Sequence, residues 1–418
     1  MTRERRVEAE APVETTEMEY ALERWSGRPV WAEIDLDALA HNVRTLVARA
    51  QPAKLYAIVK ANAYGHGAVA VARCVLEEGA YGLGVVCIDE AEELRRARIE
   101  APVLIVGYTP PSEAERVVDL HVTPTVTTIE LARALSIYAE ARGVTQRIHV
   151  ELESGLNRNG LPLEDLVALA EDVRLLPGIE VEGLYTHFAA AEEGDQTFTR
   201  AQYDALAEAS KRLPWIPERH CSASASLLAS PEMRLDAVRA GIALYGYHPA
   251  PGCGPDTELK RVLSLKSRIS RLLEVEPGAT VGYGRTWTAE RPSKIALIMC
   301  GYADGFRRAL SNHAEIIVRG QRAPIAGRIA MDMCMADVTD VAGVALDDEV
   351  VIIGRQGAEG IDADDLAGLA DTISWEILAG ISARVPRLYM RSGALYAYTT
   401  LNERRPWPAS DLVVTPAH

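Results

Sequence analysis

Short apolar runs recur along the first 250 residues of the chain, and segments with a helical pattern separate them. The runs are LYAIVK (55–60), YGLGVV (81–86), PVLIVGY (102–108), VTPTV (122–126), RIHVELE (147–153), VEGLYTHF (181–188), RHCSAS (219–224) and AVRAGIALYG (237–246). Helical patterns follow at 89–99, 163–176 and 199–213. Eight strands alternating with helices over about 210 residues predict a (β/α)8 barrel, in which the fourth strand has the weakest signal.

The pattern changes near residue 248, where HPAPGCGPDTEL is rich in proline and glycine, as domain boundaries often are. Beyond it come the short strand-like runs SLKSRISRLLEV, SKIALIMCGYA, AEIIVRG, QRAPIAGR and DDEVVIIG, with one helical segment at 361–380. The sequence therefore predicts an α/β fold: an N-terminal barrel domain at 27–250 and a mostly β C-terminal domain at 251–418. The early run VWAEIDL (30–36) is a candidate to pair with that second domain.

The composition is that of an ordinary soluble protein, with 418 residues of which 48% are hydrophobic and 25% charged. A net charge of −15 disfavours nucleic-acid and anionic-membrane partners, because both need a basic surface. There is no apolar stretch of about 18 residues, which a membrane span requires. Residues 1–26 are charged and lack the apolar run of a secretion signal, so we expect a disordered tail and a cytoplasmic protein.

The six cysteines are scattered, with no CxxC pair and no Cys/His cluster at zinc spacing. We therefore expect reduced thiols and no metal site.

Two places in the predicted barrel carry candidate chemistry. Lys60 closes the first strand, where its amine suits a Schiff base because burial favours the neutral form; the alternative is a lysine that reaches the surface. Ser224 and the pair Gly241-Ile242 follow the seventh and eighth strands, where barrels often bind phosphate. The alternative there is a serine-rich turn and a glycine that only bends the chain.

Six blocks of the sequence resemble those of the alanine racemase family. They are VKANAYGHG (59–67), VRAGIALYG (238–246), VGYGRTW (281–287), CGYADGFRRAL (300–310), APIAGRIAMDMC (323–334) and ISARVPRLY (381–389). They occur in the family's order between about residue 30 and residue 400. The resemblance implies a pyridoxal-phosphate (PLP) enzyme that interconverts L- and D-alanine and supplies D-alanine for peptidoglycan. It also implies a barrel followed by a β domain, in a head-to-tail homodimer.

The resemblance implies a role for each matching residue. Lys60 would bind the cofactor as a Schiff base, and Lys60 and Tyr283 of a partner subunit would be the two acid–base groups. Tyr64 would contact the cofactor phosphate, as would Ser224, Gly241 and Ile242; Arg239 would face the pyridine nitrogen, with His187 beside the ring. Arg158 would lie near the substrate carboxylate, and the partner's Tyr302, Met331 and Asp332 would shape the entrance. Before this context, Tyr302, Met331 and His187 could equally be packing residues, and Arg239 a surface ion pair.

Two positions depart from the family pattern. Many relatives have a carbamylated lysine where this chain has Glu151, and we expect the glutamate to replace that anion and orient Arg158; a solvated strand-end carboxylate is the alternative. Some relatives have a tyrosine where Ala383 stands. Its absence would remove a phosphate contact and could admit substrates larger than alanine, so a broad-specificity alanine/serine racemase is an alternative.

Other classes of protein share parts of this pattern. A barrel-type PLP amino-acid decarboxylase would carry an acidic residue where this chain has Arg239. Non-catalytic PLP-binding proteins with a similar barrel end after it, whereas this chain continues for about 170 residues. A catalytically inactive scaffold would not need both Lys60 and Tyr283.

Overall fold

The computed structural model describes residues 28–401, and the segment predicted to be disordered lies outside them. Eight parallel strands form the barrel: β2 (Lys54–Ile58), β3 (Gly82–Val85), β4 (Val103–Ile105), β5 (Thr123–Pro124), β6 (Gln146–Glu151), β7 (Ile179–Tyr185), β8 (Glu218–His220) and β9 (Ala237–Ala240). Their order around the barrel is β5-β4-β3-β2-β9-β8-β7-β6. A bridge between Thr125 and His149 joins the two ends of this order and closes the ring. The fourth strand, β5, is only two residues long, and its Pro124 has no N–H to donate.

Helices surround the barrel and bury one face each against it. They are α1 (Leu36–Ala50), α2 (Ala68–Glu77), α3 (Ile88–Arg96), α4 (Ala114–Asp119), α5 (Ile129–Arg142), α6 (Leu163–Arg174), α7 (Thr197–Arg212) and α8 (Ser224–Ala229). In α1, Asp35 caps the first turn by accepting from Ala38 N at 2.8 Å, and apolar residues at helical spacing form the buried face. Short 3-10 turns occupy 111–113, 231–233 and 242–245.

A ten-stranded sheet is built mainly from the second half of the described chain. Its strands are β1 (Val30–Asp35), β10 (Leu263–Val275), β13 (Ser293–Ile298), β14 (Glu315–Val318), β15 (Gln321–Pro324), β16 (Cys334–Asp337), β17 (Glu349–Gln356), β18 (Glu359–Ile361), β19 (Arg387–Arg391) and β20 (Ala394–Thr399). Although β1 precedes the barrel in sequence, it lies between β10, to which it is antiparallel, and β19, to which it is parallel. A separate hairpin of β11 (Thr280–Val281) and β12 (Trp287–Thr288) carries a 3-10 turn at 283–285, and another 3-10 turn occupies 308–310.

The predicted fold class is confirmed, and the local differences have simple causes. The single helix expected over 361–380 is two helices, α9 (Ala363–Leu369) and α10 (Ser374–Ala379), because the chain turns at Asp371 with a positive φ of 52°. The strands β11, β12, β16, β18, β19 and β20 were not anticipated, because they are only two to six residues long. Within residues 28–401 no helix is both long and apolar enough to cross a bilayer.

Candidate active site

A cavity of about 430 Å³ opens at the carboxyl ends of the barrel strands. In barrel enzymes this end carries the chemistry. The cavity brings together nine of the residues singled out in the sequence: Lys60, Tyr64, Glu151, Arg158, His187, Ser224, Arg239, Gly241 and Ile242. Ile373 and Trp375, around the start of α10, line it as well. Part of the wall therefore comes from beyond the barrel.

Lys60 is followed by a turn in the left-handed backbone conformation. The four residues after it, Ala61 to Tyr64, have φ between 50° and 53°, in the left-handed region. For residues with a Cβ this conformation costs roughly 1–2 kcal/mol each, so the surrounding contacts must hold the turn. His66 contributes, since its Nδ1 lies 3.0 Å from the carbonyl oxygen of Ala63 and 2.9 Å from that of Tyr64.

The environment of Lys60 favours its neutral amine. Burial lowers the pKa of Lys60, and the positive charges of Arg158 and Arg239 lower it further, while Glu90 acts in the opposite direction. A neutral amine is the form that attacks a carbonyl or takes up a proton. The site therefore prepares Lys60 for covalent or basic chemistry.

Arg239 is buried at the end of β9, where its guanidinium is held by neutral groups. Its Nη2 donates to the carbonyl oxygen of Thr186 at 2.9 Å and lies 3.3 Å from Nδ1 of His187. Its Nη1 donates to Nδ1 of His220. The guanidinium also lies over the ring of Tyr185, 4.8 Å from the ring centroid. Burial and the neighbouring cations lower the pKa of His187 to about 3, so His187 is neutral at working pH.

The hydrogen bond from Arg239 determines which ring nitrogen carries the proton in two histidines inside the barrel, His220 and His149. Since Arg239 can only donate, Nδ1 of His220 accepts and its proton resides on Nε2. That Nε2 lies 2.9 Å from Nδ1 of His149, so the proton of His149 resides on its own Nε2. This atom in turn lies 3.7 Å from Oε2 of Glu182. Hydrogen bonds thus link the guanidinium to two imidazoles in a row, and Nε2 of His149 has the Glu182 carboxylate nearby without a hydrogen bond to it.

His149, Glu218 and His220 place possible metal-ligand atoms within 4.8 Å of one another. The residues already have other partners, however: both nitrogens of His220 take part in the hydrogen bonds just described, and Glu218 accepts from Lys54 at 2.7 Å and from Tyr56 at 3.2 Å. We therefore interpret this group as a hydrogen-bonded barrel interior. Sequence reasoning missed these residues, although His149 and His220 stand in strands where alternate positions face inward.

A cradle suited to a small anion lines the same cavity as Lys60. Oγ of Ser224 accepts from Gly241 N at 3.0 Å and from Ala243 N at 3.3 Å. A Cβ at Gly241 would lie 2.9 Å from the hydroxyl oxygen of Tyr64, so only glycine leaves this approach open. Two hydroxyls and nearby backbone N–H groups are donors that a phosphate prefers.

Glu151 is buried, and its hydrogen bond goes to Tyr185 rather than to Arg158. The Tyr185 hydroxyl donates to Oε2 of Glu151 at 3.1 Å. Among the hydrogen bonds of residues 28–401, none joins Glu151 to Arg158, although their charges act on each other across the cavity. Glu153 instead holds the loop of Arg158, accepting from Arg158 N at 3.2 Å and also from Gly155 N. The role of Glu151 in orienting Arg158 stays a prediction.

The other four predicted site residues, Tyr283, Tyr302, Met331 and Asp332, are absent from the lining of this cavity. Tyr283 is 72% exposed on the turn between β11 and β12, and Tyr302 and Met331 are also exposed. The loops of Tyr302 and Met331 adjoin, since Tyr302 N donates to the carbonyl oxygen of Ala330 at 3.0 Å. In a single chain these side chains therefore lie on the outer surface, outside this cavity.

A buried carboxylate ties together the loops behind this outer surface. Asp304 is fully buried and accepts from Arg28 at 3.0 Å with each of its two oxygens. It also accepts from Nε of Arg384 at 2.7 Å and from Gly301 N at 2.9 Å. Arg384 in turn pairs with Asp332 at 2.8 Å. The network fixes the segments on either side of Tyr302 and Met331.

Sequence models of two domains match the chain, the alanine racemase N-terminal domain over residues 34–249 and the alanine racemase C-terminal domain over residues 262–389. The chain belongs to the alanine racemase family. The family assignment made from the sequence is confirmed, and with it the prediction that the chain is a racemase. The alanine racemase of Clostridium perfringens is 42% identical over 374 residues, which cover 88% of this chain and 97% of that one. The alanine racemase of Symbiobacterium thermophilum is 43% identical over 366 residues, 87% of this chain and 97% of the relative.

Solved alanine racemases have the same fold. The Bacillus anthracis alanine racemase with bound L-Ala-P superimposes with a TM-score of 0.84 at 34% identity, covering 89% of this chain and 98% of that structure. The Clostridium difficile alanine racemase in complex with cycloserine gives 0.83 at 34% identity, with the same coverage.

Proposed function

We propose that this chain interconverts L- and D-alanine with pyridoxal phosphate bound to Lys60. The observation that carries the proposal is the cavity in which the amine of Lys60 lies among an anion cradle, a buried arginine and a second arginine. The names of the relatives, and the L-Ala-P and cycloserine bound by two structural neighbours, agree with a small amino-acid substrate.

The residues present fit this cofactor. The hydroxyls of Tyr64 and Ser224 and the backbone near Gly241 suit its phosphate, because Gly241 leaves room that a Cβ would fill. Arg239 suits its ring nitrogen, since a guanidinium keeps its proton and can only donate. When bound, the cofactor withdraws electrons from the substrate Cα and so acidifies the Cα proton.

The protein's own groups would then move the proton. The amine of Lys60 takes up or returns a proton at one face of the substrate, and the hydroxyl of Tyr283 from a second copy of the chain does so at the opposite face. The guanidinium of Arg158 neutralises the substrate carboxylate. This division would account for the exposure of Tyr283 in the single chain, whereas Lys60 is only partly exposed and lines the cavity.

Complementation tests the shared site directly. Lys60→Ala and Tyr283→Ala are each expected to lose activity as purified homodimers. If random reassociation makes half of the dimers mixed, each mixed dimer has one intact site, so about a quarter of the wild-type activity should return. No recovery on mixing, together with an active monomer in size-exclusion chromatography, would refute the shared site.

The activity itself is tested by incubating the purified protein with L-alanine and following D-alanine by chiral chromatography. Borohydride treatment followed by mass spectrometry should place the cofactor mass on the peptide that contains Lys60. Release of CO₂ without D-alanine would instead favour an amino-acid decarboxylase. Binding of pyridoxal phosphate with neither product would favour a non-catalytic binding protein.

Arg239 is expected to determine reaction specificity. A partner that keeps its proton leaves the ring nitrogen of the cofactor unprotonated, which weakens electron withdrawal and disfavours transamination. We expect Arg239→Glu to raise the amount of pyruvate formed per D-alanine. An unchanged ratio would contradict this reasoning.

A broader substrate range is the second candidate function. Ala383 is exposed on the loop before β19 and lines a different cavity together with Asn62 and Tyr389. In the single chain Ala383 therefore does not line the cavity of Lys60, and the broader range rests on the departure from the family pattern alone. Comparable turnover of L-serine and L-alanine would support the broader range, and turnover of alanine alone would exclude it.

We further propose a cytoplasmic homodimer whose product supplies D-alanine for peptidoglycan. The family membership supports the role in D-alanine supply. The exposure of Tyr283 in the single chain supports the homodimer. Growth of a D-alanine auxotroph on expression of this chain would test it.

A further inference from the structure

The backbone that presents Lys60 has a contact that none of the roles above uses. Glu90, in the first turn of α3, accepts from Ala61 N at 2.7 Å through Oε1 and from Val86 N at 2.8 Å through Oε2. We propose that Glu90 is a positioning residue for Lys60, which joins the carboxyl ends of β2 and β3 and fixes the start of the left-handed turn. The inference rests on the proposed role of Lys60.

The backbone N–H groups of the turn have different hydrogen-bond partners. The last ladder contact between the two strands is from Val59 N to the carbonyl oxygen of Gly84, at 2.8 Å. Inside the turn, Ala63 N donates to the carbonyl oxygen of Val59, and Gly65 N to that of Ala61. The N–H of Ala61 points out of the turn and is satisfied by Glu90. Because Ala61 directly follows Lys60, this bond sets the backbone from which the lysine side chain leaves.

The Glu90 carboxylate accepts hydrogen bonds from the ends of both strands. Its two oxygens each accept one backbone N–H, an arrangement that a neutral amide cannot copy. In Glu90→Gln the oxygen could accept one N–H, but the NH₂ group would face the other donor. The location in the first turn of α3 also favours a negative charge.

The charge of Glu90 also acts on the pKa of Lys60. The cavity around Lys60 also contains Arg158, Arg239, His187 and Glu151. Burial and the two arginines lower the pKa of Lys60, whereas Glu90 raises it. Glu90 would therefore limit how far the lysine nitrogen loses its affinity for protons, in addition to holding its backbone.

The same helix offers a matched control. Asp89 precedes Glu90 and is exposed, and its carboxylate accepts from Arg116 at 2.8 Å. Asp89→Asn removes the same charge one residue away, without touching the backbone next to Lys60. Glu90→Gln and Glu90→Ala are compared with Asp89→Asn and the wild type, all as full-length holoenzymes.

Two measurements test the proposal. Hydrogen exchange read by mass spectrometry should show the peptides containing Ala61 and Val86 exchanging about five- to tenfold faster in both Glu90 variants, and unchanged in Asp89→Asn. The visible absorbance band of the bound cofactor, which reports protonation at Nζ of Lys60, should titrate about half a pH unit lower or more in Glu90→Gln.

Wild-type exchange in both Glu90 variants would overturn the proposal. Faster exchange with an unchanged titration midpoint would also overturn it, because Glu90 would then be only a structural link between two strands. If borohydride leaves no cofactor mass on Lys60 in the wild type, the proposed function fails. The exchange comparison of Glu90→Gln with Asp89→Asn would still decide whether Glu90 holds the backbone of the turn, so the two failures can be told apart.

Discussion

Removal of the Asp304 carboxylate should destabilise the second half of the chain. In Asp304→Ala, four hydrogen bonds are lost, three of them from the guanidinium groups of Arg28 and Arg384. Hydrogen bonds to charged groups contribute about 1.5–3 kcal/mol each, but both arginines are about 30% exposed and can turn to water. We therefore expect a loss of about 3 kcal/mol, at the lower end of the cost of breaking a buried ion pair.

The assay is thermal unfolding at fixed protein and cofactor concentrations, because bound ligand shifts the midpoint. Asp304→Ala should lower Tm by about 4 °C, because the unfolding entropy of a chain of this length is large. The control is Asp340→Ala, which removes an exposed ion pair with Arg291 and should cost less than about 1 kcal/mol. Equal changes in Tm for the two variants would refute the reasoning that burial of the carboxylate decides the effect.

Two other variants test the cradle and the buried imidazoles. In Gly241→Ala the new Cβ lies 2.9 Å from the hydroxyl oxygen of Tyr64, so this variant should bind pyridoxal phosphate roughly tenfold more weakly in a fluorescence titration. The control is Gly368→Ala, whose Cβ meets open space and which should bind the cofactor as the wild type does. Burial lowers the pKa of His66 to about 4. Between about pH 6.5 and pH 4 the unfolded chain then binds more protons at this residue than the folded chain does. The free energy of unfolding therefore decreases as the pH is lowered through this range, by up to about 1.4 kcal/mol per pH unit. His66→Asn should flatten the pH dependence of the urea midpoint and exposed His313→Asn should not; equal slopes would contradict this.

The barrel could be predicted because its strands are short apolar runs with helical patterns between them. Seven of the eight predicted runs overlap strands of three to seven residues, and the run with the weakest signal contains only Thr123–Pro124. The second sheet was harder. Strands such as Cys334–Asp337 and Arg387–Arg391 are short, and their pairing depends on residues far away in sequence.

The site was predictable as a set of residues but not as a geometry. Lys60, Ser224 and Arg239 follow or end strands, and the barrel brings those ends together. The left-handed turn after Lys60 could not be predicted, because nothing in the letters ANAY marks a positive φ without glycine. The inward-facing His149 and His220 have ordinary strand neighbours. The roles of the individual site residues stay predictions.

The position of β1 links the order of synthesis to the order of assembly. This strand is made first, yet its two neighbours, β10 and β19, are separated from it by more than 220 and 350 residues respectively. The barrel strands can associate while β1 still lacks both partners. The second sheet is complete only after β19 has been synthesised. A fragment that begins after the barrel would lack an interior strand, so we expect the two halves not to be separable by a cut between them.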